Sequence, residues 1–187
     1  MKILYFDTET TGLTENSAII QIAGIIEENR EVLKEFNIFS QPHEGAEISD
    51  DALAVHGISL EKIQTFQTPG QAHSELKKIF DTYIDKFDKN DKFIVAGYNV
   101  DFDIKKLTTF FLKNNDGFLG SYIFWKGLDP FNLILPLQML KKIPRLKNNK
   151  LATWCEHYGI EINSHDALSD IKATKHLIDV FMCLIEN

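Results

Sequence analysis

Three apolar runs follow one another at the start of the chain, and they limit its fold more than any other feature. Residues 2–7 form a short, nearly continuous apolar run, residues 18–27 (AIIQIAGIIE) a second and residues 32–39 (VLKEFNIF) a third. Each has the length of a strand. The Glu28-Asn29-Arg30 segment is short enough to close a hairpin between the second and third, so three sequential antiparallel strands are expected. After Gln41-Pro42 the apolar spacing turns helical, first around 49–55 and then over 71–87, where Ala72, Leu76, Ile79, Tyr83 and Phe87 recur every three or four residues. A buried strand at 92–98 (KFIVAGY) follows, then a helix from near Asp101 that the Asn114-Asn115-Asp116-Gly117 turn signal ends. Residues 121–130 contain a candidate last strand, and helices are expected around 131–142, 150–158 and 167–185. Strands first and alternating elements later predict an α/β domain with a mixed central sheet.

No repeat, low-complexity tract or Gly/Ser/Pro-rich linker divides the sequence, so residues 1–187 are expected to form one domain. A chain of this length buries enough surface to fold without a disulfide or a structural metal. Cys155 and Cys183 are the two cysteines, both in apolar sequence surroundings and outside any CxxC or Cys/His spacing, which argues against a disulfide framework and a zinc site. Met1-Lys2 leads directly into the first apolar run, with no apolar leader and no long apolar stretch anywhere. A cytoplasmic protein without membrane contact is the expectation. Lys and Arg number 20 against 27 Asp and Glu, and this net charge of −7 argues against broad, non-specific nucleic-acid binding while leaving a nucleic-acid enzyme open.

Three acidic segments carry the chemistry. Asp7-Thr8-Glu9 ends the first apolar run, and residues two apart on a strand project from one face, so both carboxylates converge at the strand's C-terminal end. Two anions held together call for a cation, and a hard oxygen-ligand site suits Mg²⁺ or Mn²⁺. Two surface acids at a solvated strand end are the plainer alternative. Asn99-Val100-Asp101-Phe102-Asp103 stands where the buried strand gives way to a helix; Asp101 and Asp103 there also suit simple capping and the helix dipole. Ser164-His165-Asp166-Ala167-Leu168-Ser169-Asp170 leads into a helix whose apolar stripe runs Ala167, Ile171, Thr174, Ile178, Phe181, and Asp170 borders that stripe. His165 and Asp170 share a site only if the histidine lies in the loop or frayed turn before the helix; there it suits a general base.

Taken together, four acids from one strand and two helices resemble a two-metal phosphodiester hydrolysis site. DTETTGL at 7–13, NVDFD at 99–103 and HDALSD at 165–170 resemble the three motifs of the DEDD superfamily of 3′-to-5′ exonucleases, in the His-containing branch that includes the epsilon proofreading subunit of bacterial DNA polymerase III. AVHGI at 54–58 and LATWCEHYGI at 151–160 extend the likeness over nearly the whole chain. The resemblance implies a ribonuclease-H-like α/β fold with a five-stranded mixed sheet. It implies that Asp7, Glu9, Asp103 and Asp170 hold two Mg²⁺ or Mn²⁺ ions, that His165 deprotonates the attacking water, and that nucleoside 5′-monophosphates are released from a free 3′ end. Thr10, Thr11, Gly12 and Leu13 match the loop that contacts the terminal nucleotide in the family, and Val55, His56, Asn99 and Phe102 match further pocket positions; Val55 and Phe102 also suit core packing.

The epsilon-like segments favour single-stranded DNA, with an RNA-directed exonuclease as the alternative, because a phosphate-centred site does not itself read the 2′-hydroxyl. The chain stops at Asn187 directly after its last expected helix, so free-standing action or non-covalent recruitment by a polymerase or repair partner is expected rather than a covalent tether. Residues 141–150 (KKIPRLKNNK) carry five basic side chains and suit an exposed loop on a phosphate backbone, or a solvated helix end. The chain's 14 Phe, 5 Tyr and 2 Trp supply candidates for base stacking. Two other readings start from the same residues. A haloacid-dehalogenase-like phosphatase also places two acids after its first strand, but it needs Asp where this chain has Glu9. A module that binds nucleic-acid ends or a polymerase without turnover would have no use for all four acids and the histidine.

Overall fold

A computed structural model describes residues 1–186. The three opening runs form β1 (Lys2–Thr10), β2 (Ile19–Glu28) and β3 (Glu31–Phe39), antiparallel in sequence, and β4 (Ile94–Ala96) adds on the other side of β1 as a parallel strand, giving the order β3-β2-β1-β4. Asn29 and Arg30 make the β2–β3 turn with φ of 53° and 68°. Positive φ at both central residues matches the right-handed twist of a hairpin.

Helices cover both faces. Leu4 and Phe6 of β1 pack toward α3 (Pro69–Tyr83) and α4 (Val100–Lys113), sharing a core with Leu76, Phe80, Val100, Ile104 and Leu107. Tyr5 points the other way, into a second core with Ile171 and Ile178 of α7 (Ala167–Glu186). Behind α7, helices α5 (Pro130–Met139) and α6 (Leu151–Tyr158) close a third cluster around the fully buried Trp154. β2 is buried along almost its whole length because it sits between both layers. Two short helices, α1 (Asp50–His56) and α2 (Leu60–Ile63), lie in the connection from β3 to α3. Among the described residues no helix is long and apolar enough to cross a membrane.

Among the described residues the expected five-stranded sheet has four strands. Segment 121–130 does approach β4, through parallel bridges Phe93–Ile123 and Ala96–Leu128. Phe124 N–H donates to Phe93 O at 3.0 Å and Leu128 N–H to Val95 O at 2.7 Å, but the backbone bends at 125–126 between them, so two separated contacts replace a ladder. α3 stops at Tyr83 rather than 87, where Ile84 turns extended and stays buried, and the Asp85 carboxylate then accepts from Phe87 N–H at 3.0 Å; Phe87 is exposed instead of extending the stripe. β4 is shorter than the expected 92–98, and the four-residue α2 has no counterpart in the sequence pattern. Cys155 is buried as expected, whereas Cys183 is exposed on α7.

Candidate active site

The alternation of β1 sorts its C-terminal side chains. Asp7 and Glu9 continue the face of Tyr5, toward α7, and Thr8 continues the face of Phe6, toward α4. A register irregularity falls between Glu9 and Thr10, directly after the acids. Such irregularities re-aim side chains where pairing ends.

Asp103 is buried in the first turn of α4 and accepts two hydrogen bonds at Oδ1, from Thr8 N–H at 3.1 Å and from the Thr8 hydroxyl at 2.6 Å. Burial pushes its carboxyl up to about 7, although those two bonds work against the rise. Asp7 is raised well above the carboxylate range, by burial first and then by the charges of Asp103, Asp170, Glu9 and Asp166. Glu9 is pushed up to about 7 by burial, then by Asp170, Asp103 and Asp166. Asp170 is raised by burial, against the opposing pull of the His165 backbone N–H that donates to its Oδ2 at 3.0 Å. Its other oxygen, Oδ1, is buried and has no hydrogen-bond partner among the described residues. Four acids from β1, α4 and α7 thus repel one another in a partly dry site, and one keeps an oxygen without a partner among the described residues.

His165 stands in the turn before α7, exposed, with φ of 69°. Its ring offers a nitrogen that lies within 4.8 Å of carboxylate oxygens of both Glu9 and Asp170. The turn position required for the histidine to share the site is therefore the one it occupies. Divalent cations fit this donor set: hard oxygen ligands dominate it, their mutual repulsion falls when a cation binds, and Asp170 Oδ1 has a vacant lone pair.

The remaining sequence candidates divide in two. Leu13, Val55, His56 and Phe102 line a cleft of about 670 Å³ that passes over Thr8 and Glu9, together with Thr10 and Gly12. His56 accepts from Ile58 N–H at 3.1 Å through Nδ1, and burial followed by the nearby His165 lowers its proton affinity. Thr10 and Thr11 serve the loop itself. The Thr10 hydroxyl donates to Gly12 O at 2.8 Å, and the fully buried Thr11 hydroxyl donates to Glu47 O at 2.5 Å and accepts from Ala18 N–H at 2.9 Å. Asn99, left-handed at φ 61°, precedes α4 and is not among the residues lining the cleft. Asp101 is exposed and makes no side-chain cap; the α4 start is served by Asp129, whose carboxylate takes hydrogen bonds from the backbone of Phe131, Asn99 and Val100. In the basic segment, Lys142 donates to Leu184 O at 2.6 Å and Lys147 pairs with Glu156 at 3.4 Å, so part of its charge is spent within the protein.

Three site residues escape sequence reasoning. Thr8 fixes Asp103, and Asp166 caps α7 through Ser169 N–H at 3.1 Å while accepting from Gln21 Nε2 at 3.0 Å. Gln21 is the lone polar side chain in the AIIQIAG run, which is the signal that would have found it.

The family model described as exonuclease matches residues 4–178. PolC-type DNA polymerase III of Halalkalibacterium halodurans is 30% identical over 180 residues, covering 95% of this chain and 11% of the polymerase. An uncharacterised exonuclease, CP81, of Escherichia phage 186 is 26% identical over 184 residues, covering 94% of this chain and 86% of its own length. The chain thus spans about a tenth of the polymerase relatives it matches. The fold resembles Escherichia coli Exonuclease I in complex with a dA16 oligonucleotide, with a TM-score of 0.78 at 19% identity over 96% of this chain and 41% of that one.

Proposed function

This chain belongs to the exonuclease family, and on that premise we propose that residues 1–187 form one exonuclease domain that removes nucleoside 5′-monophosphates stepwise from the 3′ end of single-stranded DNA. One observation carries the reading: Glu9, Asp170 and His165 each offer a ligand atom within 4.8 Å of the others, beside an Asp7 raised by burial and by its acidic neighbours, and a bound cation would relieve that repulsion. Asp7, Glu9, Asp103 and Asp170 would hold two Mg²⁺ or Mn²⁺ ions, which supply water activation and neutralisation of phosphate charge when bound. His165 takes the proton from the attacking water at its free ring nitrogen; its exposed turn lets the ring deliver that proton to solvent. Leu13, Val55, His56 and Phe102 seat the terminal nucleotide in the cleft beside Glu9 and exclude water around it. Thr8 fixes Asp103 for this role through its N–H and its hydroxyl. The bond that breaks joins phosphorus to the O3′ of the preceding nucleotide.

The DNA assignment draws support from Exonuclease I, whose solved complex holds a dA16 oligonucleotide, and from the PolC-type polymerases, which also support a proofreading or repair context. Product identification tests the reaction. Chromatography of a digest with Mn²⁺ should show nucleoside 5′-monophosphates from the first minutes; 3′-monophosphates or short oligonucleotides as first products would contradict it.

A further inference from the structure

A second cleft, of about 760 Å³, opens beside the one over Glu9. The two share Leu13, Thr14 and Phe102, which therefore form the partition between them. Lys106 pins that partition: buried on α4, it donates to Thr14 O and, at 3.3 Å, to Ser17 O, and its ammonium stands 5.5 Å from the Phe102 ring centre. Lys105 and Trp125 also line it.

Trp125 owes its place to the interrupted fifth strand. The chain bends at 125–126, between the bonds that Phe124 and Leu128 make to β4, with Gly120 against the indole and Gly127 against Val100. A Cβ on Gly120 would stand 3.1 Å from the indole that rests over it, and a Cβ on Gly127 only 2.5 Å from Val100 Cγ1. The indole stays 56% exposed, whereas Trp154, the other tryptophan, is fully buried. A large aromatic face left in the open beside a nucleotide cleft is a stacking platform for a base.

We propose that this second cleft binds the unpaired nucleotide on the 5′ side of the scissile bond, its base against Trp125 and its phosphate toward Lys105. The inference rests on the exonuclease reading, because the O3′ that leaves belongs to that nucleotide and the strand must pass the Leu13–Phe102 partition to continue. The cleft has room for a nucleotide, within the roughly 300–1,000 Å³ common for ligand sites. Glu15 and Asp101 line it as well as Lys105, so the stacked ring rather than net charge supplies the binding. A base lying flat on an indole has left its complementary strand, which makes the cleft selective for single strands.

The test uses the intact protein and the fact that Trp125 is its exposed fluorophore. In EDTA, titration with dT8 should quench tryptophan emission and titration with dTMP, which reaches only the first cleft, should leave it largely unchanged. With Mn²⁺, Trp125→Leu should lower the preference for dT8 over p-nitrophenyl thymidine 5′-phosphate, which has no upstream nucleotide, about tenfold or more through KM. Trp125→Phe should recover most of that preference. Equal losses on both substrates, or absence of quenching by dT8, would overturn the assignment. The titration in EDTA needs no turnover and decides the cleft by itself; a wild type that hydrolyses neither substrate would instead overturn the exonuclease reading.

Discussion

Thr8 holds Asp103 by two hydrogen bonds, 3.1 Å from its backbone N–H and 2.6 Å from its hydroxyl, so a side chain on one face of β1 fixes a carboxylate carried by α4 while Asp7 and Glu9 occupy the opposite face. Thr8→Val keeps the shape and the backbone donor but deletes the hydroxyl. Partners that orient metal-ligating carboxylates are typically worth about 10–100-fold in activity or affinity. The variant should show a loss in that range with an unchanged circular dichroism spectrum, and Thr8→Ser should restore most of it. Full activity in Thr8→Val would show that the backbone N–H alone suffices.

The acids also set a pH dependence of stability. Glu9 and Asp103 titrate near 7 in the fold, and Asp7 and Asp170 are raised as well, in each case first by burial. In the unfolded chain they return to the ordinary carboxylate range of about 4. Between these limits the folded state binds more protons than the unfolded state, so their contribution makes stability fall as pH rises from about 4 through 7. Bound divalent ions replace the protons, and their affinity rises with pH. Melting temperatures in EDTA should therefore drop between pH 5 and 8, and the increase produced by Mn²⁺ should grow over the same interval. A metal-induced increase that shrinks with pH would contradict the assignment of these acids.

His165 and Asp7 should separate by function. His165→Ala is expected to lower turnover about 10²–10⁴-fold, the usual scale of a general base, while calorimetry still detects Mn²⁺ binding. Asp7→Ala should lose both. An unchanged rate in His165→Ala would remove the general-base role.

Much of this was legible in residue order. Asp7 and Glu9 fall on one strand face by period alone, and the five-residue spacing lets His165 share a site with Asp170 only from the turn before the helix, which is where it stands. The expected fifth strand does pair with β4 at its ends; what breaks it, the bend at 125–126 with Gly127 against Val100, depends on tertiary contacts that local pattern does not encode. Thr11 matches the nucleotide-contact loop by motif, and its hydroxyl also donates to Glu47 O, 36 residues away, a partner invisible in a motif. Asp166 and Gln21 meet across 145 residues for the same reason.

A stability prediction arises away from the chemistry. Lys175 on α7 meets the buried Glu27 carboxylate of β2 at 2.7 Å and Asp179 at 3.0 Å, tying helix to sheet. Lys175→Met strands Glu27 without its cation and should cost about 3 kcal/mol in urea denaturation. Adding Glu27→Leu should recover most of the loss, since a packed apolar pair commonly replaces a buried ion pair at little cost. A double variant no more stable than Lys175→Met would contradict that account.

The most direct measurement follows a 5′-labelled single strand over time with Mg²⁺, Mn²⁺ or EDTA, in wild type and Asp7→Ala, beside a 3′-blocked strand. The carboxylate centre predicts a ladder that shortens from the free 3′ end, needs the metal, and is absent for the blocked strand and the variant. A ladder that persists in EDTA or in Asp7→Ala, or its absence in wild type with both metals, would contradict it.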